Sequence, residues 1–343
     1  MADLAAAVEG GDIDELIGVI NGLCLDGDWD GLEELARRCR AALERGRQLW
    51  PVAAHADYRL ALEAPARLAA RTIEPGRGRF APGPLTEVLA STHRWDDLAP
   101  HLPAGPLAGV VAQERVLRGE DLTADERVDP SARELPLRLA EWEPAYALAT
   151  FHPDRADLPA PALEVTGMPQ PVHEHPGEEA GSAANVDEDA GEGRRALLDL
   201  VTTWTGESSG RAEAVAVEGG AADAATLLAA RPRQLVPVTN GSAVALMAWA
   251  GASGGAHGRR RGAAAGRFAA WWALAALAGM LDEWPPPADT LGEALAELRF
   301  YELRTEGSQT GWRLSLAVES PADELAWAVW AADPAEAVAP APG

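Results

Sequence analysis

The run "FAAWWALAALAGML" at positions 268–281 constrains the fold more than any other part of the chain. It is uncharged, and the helix that its composition favours is apolar nearly all round. A bilayer span needs roughly 20 residues, so this shorter run predicts an interior helix of a globular protein, covered on most sides. Trp271 and Trp272 point about 100° apart on such a helix. We expect them to pack as core side chains, with an aromatic ligand platform as the alternative.

Arginines crowd the N-terminal end of this predicted helix. Arg259, Arg260 and Arg261 precede it, and Arg267 lies close to its start. The positive end of a helix dipole repels each cation by about 0.3–1 kcal/mol. The sequence therefore predicts that something negatively charged lies beside these guanidinium groups.

Two kinds of anion fit this position. One is a carboxylate, of the chain itself or of a partner protein, in the bidentate pairs that guanidinium groups form. The other is a phosphate-bearing small molecule held by helix amides, with glycines permitting its close approach. Those glycines are Gly254, Gly255, Gly258 and Gly262. The predicted anion- or partner-binding residues are His257, Gly258, Arg259, Arg260, Arg261 and Arg267.

Elsewhere the chain is strongly acidic, with a formal charge of -24. This charge argues against sequence-independent binding of duplex nucleic acid and against docking on an anionic membrane. Single-stranded nucleic acid bound through arginines and tryptophans is a third alternative, which predicts a steep salt dependence. All 29 basic residues are arginine, which excludes Schiff-base chemistry and a lysine general base.

The cysteines and the N-terminus favour a cytoplasmic protein. Cys24 and Cys39 are too few for a disulfide framework or a four-cysteine zinc site. The first residues carry acids and no basic segment, so they predict no signal peptide. We expect neither a metal nor a cofactor.

The N-terminal part is predicted to be a string of helices, at 12–25, 28–46 and 50–73, the last broken near Pro65. The pattern Trp-Asp-x-Leu opens a predicted helix twice, within 27–35 and 93–102. This echo suggests stacked helical hairpins of the solenoid kind.

The C-terminal part mixes both kinds of element. Strands are predicted at 212–219 and 233–238, the second weakened or placed at a sheet edge by Pro237. Helices are predicted at 194–204, 221–230, 242–252, 263–281 and 289–299, and a β-hairpin at 311–320 and 325–334. The fold class is therefore α+β, with a smaller mixed C-terminal domain. The predicted divisions are a helical region at 1–125, a proline-rich connection and acidic linker at 126–193, the mixed domain at 194–335 and a disordered tail at 336–343.

Three short motifs resemble functional sites, but we expect each to be structural. "GESSG" at 206–210 has the letters of a serine hydrolase elbow, but a helix precedes it and a strand follows, which is the reverse of the order that an elbow needs. "GEGRRA" at 191–196 lacks the leading strand of a dinucleotide site. His173 and His175 supply only two ligands in an acidic stretch, so we expect a solvated loop there.

Three stretches, 53–65, 241–279 and 311–329, resemble an uncharacterised actinobacterial protein family of unknown function. The resemblance implies a cytoplasmic bacterial protein and no particular mechanism. No coherent catalytic constellation is present, which leans against an enzyme, and stacked hairpins commonly bind proteins. We therefore expect a non-catalytic protein-binding or scaffold module. The alternative is an enzyme or sensor that binds a phosphate-bearing small molecule at 254–267.

Overall fold

The computed structural model describes residues 4–172, 188–305 and 311–334. The chain forms two compact units, one of Met1–Leu139 with Leu148–Leu158 and one of Ala140–Ala147 with Pro159–Gly343. We call them the helical unit and the sheet unit. The predicted α+β class is confirmed, with helices first and an antiparallel sheet in the C-terminal part. The connection predicted at 126–193 is divided between the two units.

The helical unit contains eight α-helices among its described residues, and a short β-hairpin. The helices are α1 Leu4–Gly10, α2 Ile13–Asp26, α3 Trp29–Ala41, α4 Trp50–Glu63, α5 Ala66–Ala69, α6 Leu85–Thr92, α7 Trp95–Leu98 and α8 Pro106–Leu117. The hairpin strands are β1 Thr150–Phe151 and β2 Ala156–Asp157. The predicted break near Pro65 is confirmed, since α4 ends at Glu63 and α5 begins at Ala66.

In this unit α2 packs on α3, α3 on α4, α4 on α6 and α6 on α8, while α3 also contacts α1 and α4 also contacts α2. Both copies of the Trp-Asp-x-Leu pattern open a helix, at Trp29 and at Trp95. The carboxylate that accepts from a backbone amide at the start of each helix comes from a different position in the chain. The Asp28 side chain accepts from Gly31 N (2.9 Å), whereas Trp95 N donates to the distant Glu120 (3.1 Å).

The described residues of the sheet unit form one six-stranded antiparallel sheet, in the order β3-β5-β6-β7-β8-β4. Its strands are β3 Gln170–Pro171, β4 Arg211–Glu218, β5 Gln234–Val238, β6 Arg299–Arg304, β7 Trp312–Ser320 and β8 Leu325–Asp333. Its helices are α9 Glu188–Asp199, α10 Thr202–Gly206, α11 Ala221–Leu227, α12 Asn240–Ala252, α13 Ala263–Leu277 and α14 Ala288–Glu297. Helix α9 begins within the predicted acidic linker. Residues 173–187 of that linker and the predicted tail at 336–343 lie outside the described residues.

The C-terminal β-hairpin is confirmed as β7 and β8. The prediction that Pro237 places its strand at an edge is wrong, because β5 lies between β3 and β6. Pro237 O accepts from Thr166 N (2.9 Å) on the β3 side of the strand. The nitrogen and the carbonyl of one strand residue point to the same side, so the N–H that proline lacks is not needed for the pairing with β6. Strand β6 was not predicted, and the expected helix at 289–299 overlapped its first residue, Arg299.

The apolar run at 268–281 lies mostly in α13, which packs along α12. Trp271 is fully buried, as predicted, and Trp272 contacts the Trp284 ring at 4.9 Å. The two helices approach closely at Gly266, where a Cβ atom would lie 2.1 Å from the Ala248 carbonyl oxygen. A glycine at this position thus permits the packing of the core helix.

We expect Gly266→Ala to destabilise the sheet unit by about 1–3 kcal/mol or more, since the added methyl meets backbone that cannot move aside. Gly191→Ala on α9 is the matched control, because nothing lies within 4 Å of a Cβ there. It should be neutral or stabilising by up to about 1 kcal/mol. Urea denaturation of both variants measures the difference. Equal stabilities would contradict the packing assigned to Gly266.

Candidate functional site

The predicted site lies in the connection between α12 and α13, residues 253–262, which we call the Gly/Arg loop. Its glycines fold the loop onto itself. A Cβ atom at Gly254 would lie 2.1 Å from the Gly258 carbonyl oxygen, and one at Gly258 would lie 2.3 Å from that of Gly254. Gly255 and Gly262 have φ values of +72° and +100°, which L side chains rarely adopt. These glycines serve the loop's own backbone.

Oxygen atoms of the chain itself occupy backbone amides of the Gly/Arg loop. Three amides donate to side chains, Ala256 N to Asp333 Oδ2 (2.6 Å), His257 N to Ser208 Oγ (3.1 Å) and Arg259 N to Glu207 Oε2 (3.2 Å). Two more, Arg261 N and Gly262 N, donate to the Ala252 carbonyl at 2.8 and 3.3 Å. These five amides are therefore already bonded within the protein.

Asp333 is the central acceptor beneath the loop. It ends β8, is fully buried, and also accepts from Ser209 Oγ (3.3 Å). Gly255 lies so close that a Cβ atom there would be 2.2 Å from Asp333 Oδ2. Sequence reasoning missed Asp333, because it stands at the end of an apolar strand and shows no motif. The "GESSG" segment, at the end of α10 and before β4, supplies the Ser208 hydroxyl that accepts from the loop and the Ser209 hydroxyl that donates to Asp333.

The side chains of the loop point to two environments. His257, Arg259 and Arg261 are exposed. In the part of the chain that the structure describes, neither the Arg259 nor the Arg261 guanidinium forms an ion pair. Arg260 is half-buried and interacts with the protein. The negative group predicted beside these guanidinium groups is thus not supplied to Arg259 or Arg261 by the described residues, and both arginines are exposed with His257 on the loop.

Arg267 is separated from these exposed residues and lies in the core. Its Nε and Nη2 donate to the two carboxylate oxygens of Glu143 at 2.7 and 2.6 Å, and both side chains are 0% exposed. Trp271 Nε1 also donates to Glu143 (3.1 Å), as does the Tyr146 hydroxyl (2.6 Å). The anion beside Arg267 is therefore a carboxylate of the chain, bound bidentately.

Burial by itself would raise the pKa of Glu143, but the hydrogen bonds and charge of Arg267 outweigh it and hold that pKa below its ordinary value. Burial and the Glu143 charge raise the pKa of Tyr146 well above its usual range. Tyr146 therefore remains a neutral donor to the carboxylate. Glu143 was not predicted as a site residue, because it is 124 positions from Arg267 and no local pattern marks it.

The other candidate motifs do not join this site. "GEGRRA" lies inside α9, so it forms no glycine-rich turn at a helix start. His173 and His175 lie outside the described residues. Among the described residues, no group of three or more His, Cys, Asp or Glu side chains could hold a metal ion. No helix within those same residues has the length and apolar character needed to cross a membrane.

We expect Glu143→Gln to cost about 3–5 kcal/mol, because it leaves the Arg267 charge buried without its partner. The joint change Glu143→Leu with Arg267→Met should cost less than Glu143→Gln, since it removes both charges. Chemical denaturation followed by tryptophan fluorescence measures these free energies. A Gln variant as stable as the wild type would contradict the assigned pair.

This pair also predicts a pH dependence. The folded pKa of Glu143 is lowered, so its stabilisation is fully present above the unfolded value of about 4.3 and is lost as the pH falls through the lower folded pKa. The stability difference between wild type and Glu143→Gln should therefore shrink on acidification below about pH 4. A difference that grows on acidification would have the wrong sign for this assignment.

Asp333→Ala should release the Gly/Arg loop. We expect the Ala256 amide to exchange its hydrogen at least about ten-fold faster, since a hydrogen bond to a charged group contributes roughly 1.5–3 kcal/mol. Asp333→Asn keeps an acceptor and should show a smaller effect, while amides inside α12 serve as the internal control. Hydrogen exchange measured by NMR tests this, and an unchanged rate at Ala256 would contradict it.

The comparisons with known proteins add a family and no activity. The family model described as a family of unknown function, DUF6183, matches residues 14–335. Neither the curated proteins nor the solved structures gave a match. This confirms the resemblance to an uncharacterised family. Because the match spans most of its length, the chain belongs to DUF6183.

Proposed function

We propose that this protein is a non-catalytic protein-binding module whose Gly/Arg loop contacts an acidic surface of a partner protein. The contacting side chains are those of His257, Arg259 and Arg261. The observation that supports this most is that five of the loop's amides are bonded to oxygens of the chain, while the guanidinium groups of Arg259 and Arg261 are exposed and form no ion pair among the described residues. Outward guanidinium groups form bidentate pairs with carboxylates.

The alternative, a phosphate-bearing small molecule, would use backbone amides and a concave pocket. Amides of Ala256, His257 and Arg259 are occupied within the protein. The observations therefore favour a partner that meets side chains on an open surface.

Charge supports the same proposal. The chain carries a formal charge of -24, so its surface as a whole repels acidic proteins. The unpaired arginines of the Gly/Arg loop attract acidic groups locally. Such complementarity mainly guides encounter and selects partners, and salt weakens it. We also propose a cytoplasmic location, which the free cysteines Cys24 and Cys39 support.

We expect fluorescein-labelled hexaglutamate to bind the wild-type protein and the double variant Arg259→Glu with Arg261→Glu to bind it at least about ten-fold more weakly, a loss of about 1.4 kcal/mol. Added salt should weaken the wild-type binding. Fluorescence anisotropy measures both. Arg67→Glu is the control, since this arginine of α5 in the helical unit is exposed and forms no ion pair among the described residues.

Two outcomes would contradict the proposal. One is hexaglutamate binding that is equal in the wild type and the loop variant. The other is thermal stabilisation by inorganic phosphate that disappears in Arg260→Ala with Arg261→Ala, which would favour the small-molecule alternative instead.

A further inference from the structure

The sheet unit carries opposite charges at the two ends of its central strands. Where β8 ends, Arg211 lies in register with Ala332, and the Gly/Arg loop is bonded to Asp333. Arg211 is exposed, as are Arg259 and Arg261. We call these three arginines the basic end.

Acidic side chains gather where β8 begins. Glu218, Glu319, Asp323 and Glu324 line a cleft of about 800 Å³ at the β7–β8 turn. We call these four residues the acidic end. Strand β8 runs from one end to the other over Leu325–Asp333, which corresponds to about 26 Å at roughly 3.3 Å per residue.

Charges at both ends remain available for a partner. Within the described residues, Glu218, Asp323 and Glu324 form no ion pair, and neither does Arg211. Glu319 is partly engaged, by Arg299 at 3.3 Å and by the Ala221 amide at 3.1 Å. Glu218, Asp323 and Glu324 are exposed. Each end therefore offers charges that the other can neutralise.

Among the described residues, the outer strands of the sheet are poorly suited to strand addition between two copies. On the β3 side, Pro169 and Pro171 lack amide donors, and such prolines block strand addition. On the β4 side, Gly219 N donates to Glu324 O of the β7–β8 turn, so the backbone groups of Gly219 point toward β8. Successive residues of a strand point their backbone groups to opposite sides, so those of Ala214 and Ala216 point away from β8. Both alanines are buried, at 8% and 7% exposure. The charged ends are thus the better surfaces for association.

We propose that the acidic partner is a second copy of this chain, whose acidic end receives the basic end of the first. This inference rests on the proposed function, because it identifies the partner of the same loop. Joining two different surfaces makes a heterologous contact, which repeats from copy to copy and closes into a ring or continues as a filament. Pairs of guanidinium and carboxylate groups hold each contact.

A charge-swap experiment on the full chain tests this inference. The basic-end variant carries Arg211→Glu, Arg259→Glu and Arg261→Glu, and the acidic-end variant carries Glu218→Arg, Asp323→Arg and Glu324→Arg. Sedimentation velocity is measured for each, for their equimolar mixture, for the wild type and for the control Arg67→Glu. Each sample is run at low salt and at high salt, which shortens the range of the charge interactions.

At low salt, the wild type and the control should form species larger than a monomer, and high salt should dissociate them. Each swap variant alone should sediment as a monomer, because its two ends now carry like charge. Their mixture should assemble again, because every basic surface then meets an acidic one. Assembly of either variant alone, or a mixture that stays monomeric while the wild type assembles, would overturn the inference.

The result for the wild type separates this inference from the proposed function. If the wild type stays monomeric at low salt yet binds hexaglutamate through Arg259 and Arg261, the inference fails and the protein-binding function stands. If the wild type neither assembles nor binds hexaglutamate, both fail. Circular dichroism of the swap variants shows whether they remain folded, and a folded monomeric mixture counts against the inference.

Discussion

A buried carboxylate holds each side of the segment that carries the arginines, and the rest of the site depends on this arrangement. Asp333 accepts from the backbone at Ala256, at the start of the Gly/Arg loop. Glu143 accepts from the Arg267 side chain, within α13. Buried carboxylates need such donors, because an unpaired charge away from water is very costly. The Asp333 contact holds the backbone of the Gly/Arg loop, and the Glu143 contact holds Arg267 in the core. Arg259 and Arg261 remain exposed.

This division separates structural from surface roles among residues that look alike in the sequence. Arg267 is paired in the core, with its charge satisfied by Glu143 and its guanidinium 5.7 Å from the centre of the Trp271 ring. Arg259 and Arg261 belong to the same cluster in the sequence but are exposed. Since five amides of the loop are bonded within the chain, its exposed side chains are the groups best placed to attract a partner. The proposed protein-binding function follows from that geometry.

The sequence predicted those helices and strands whose formation depends on residues close together in the chain. The interior helix at 268–281, the break at Pro65 and the C-terminal hairpin follow from periodicity, proline geometry and alternation. Strand β6 and the interior position of β5 depend on which strands pair across long separations, which a single sequence does not show. The candidate site divides in the same way. Its arginines were evident from the sequence, whereas Glu143 and Asp333 become neighbours only through folding.

The central claim is that the Gly/Arg loop binds through guanidinium groups and not through its backbone. An NMR titration of the protein with hexaglutamate tests it directly, because arginine Nε–H groups and backbone amides give separate signals. We predict that the Nε–H signals of Arg259 and Arg261 shift on addition of the peptide. The backbone amide signals of Ala256, His257 and Arg259 should stay nearly unchanged. Large shifts at those three amides, with silent arginine side chains, would contradict it.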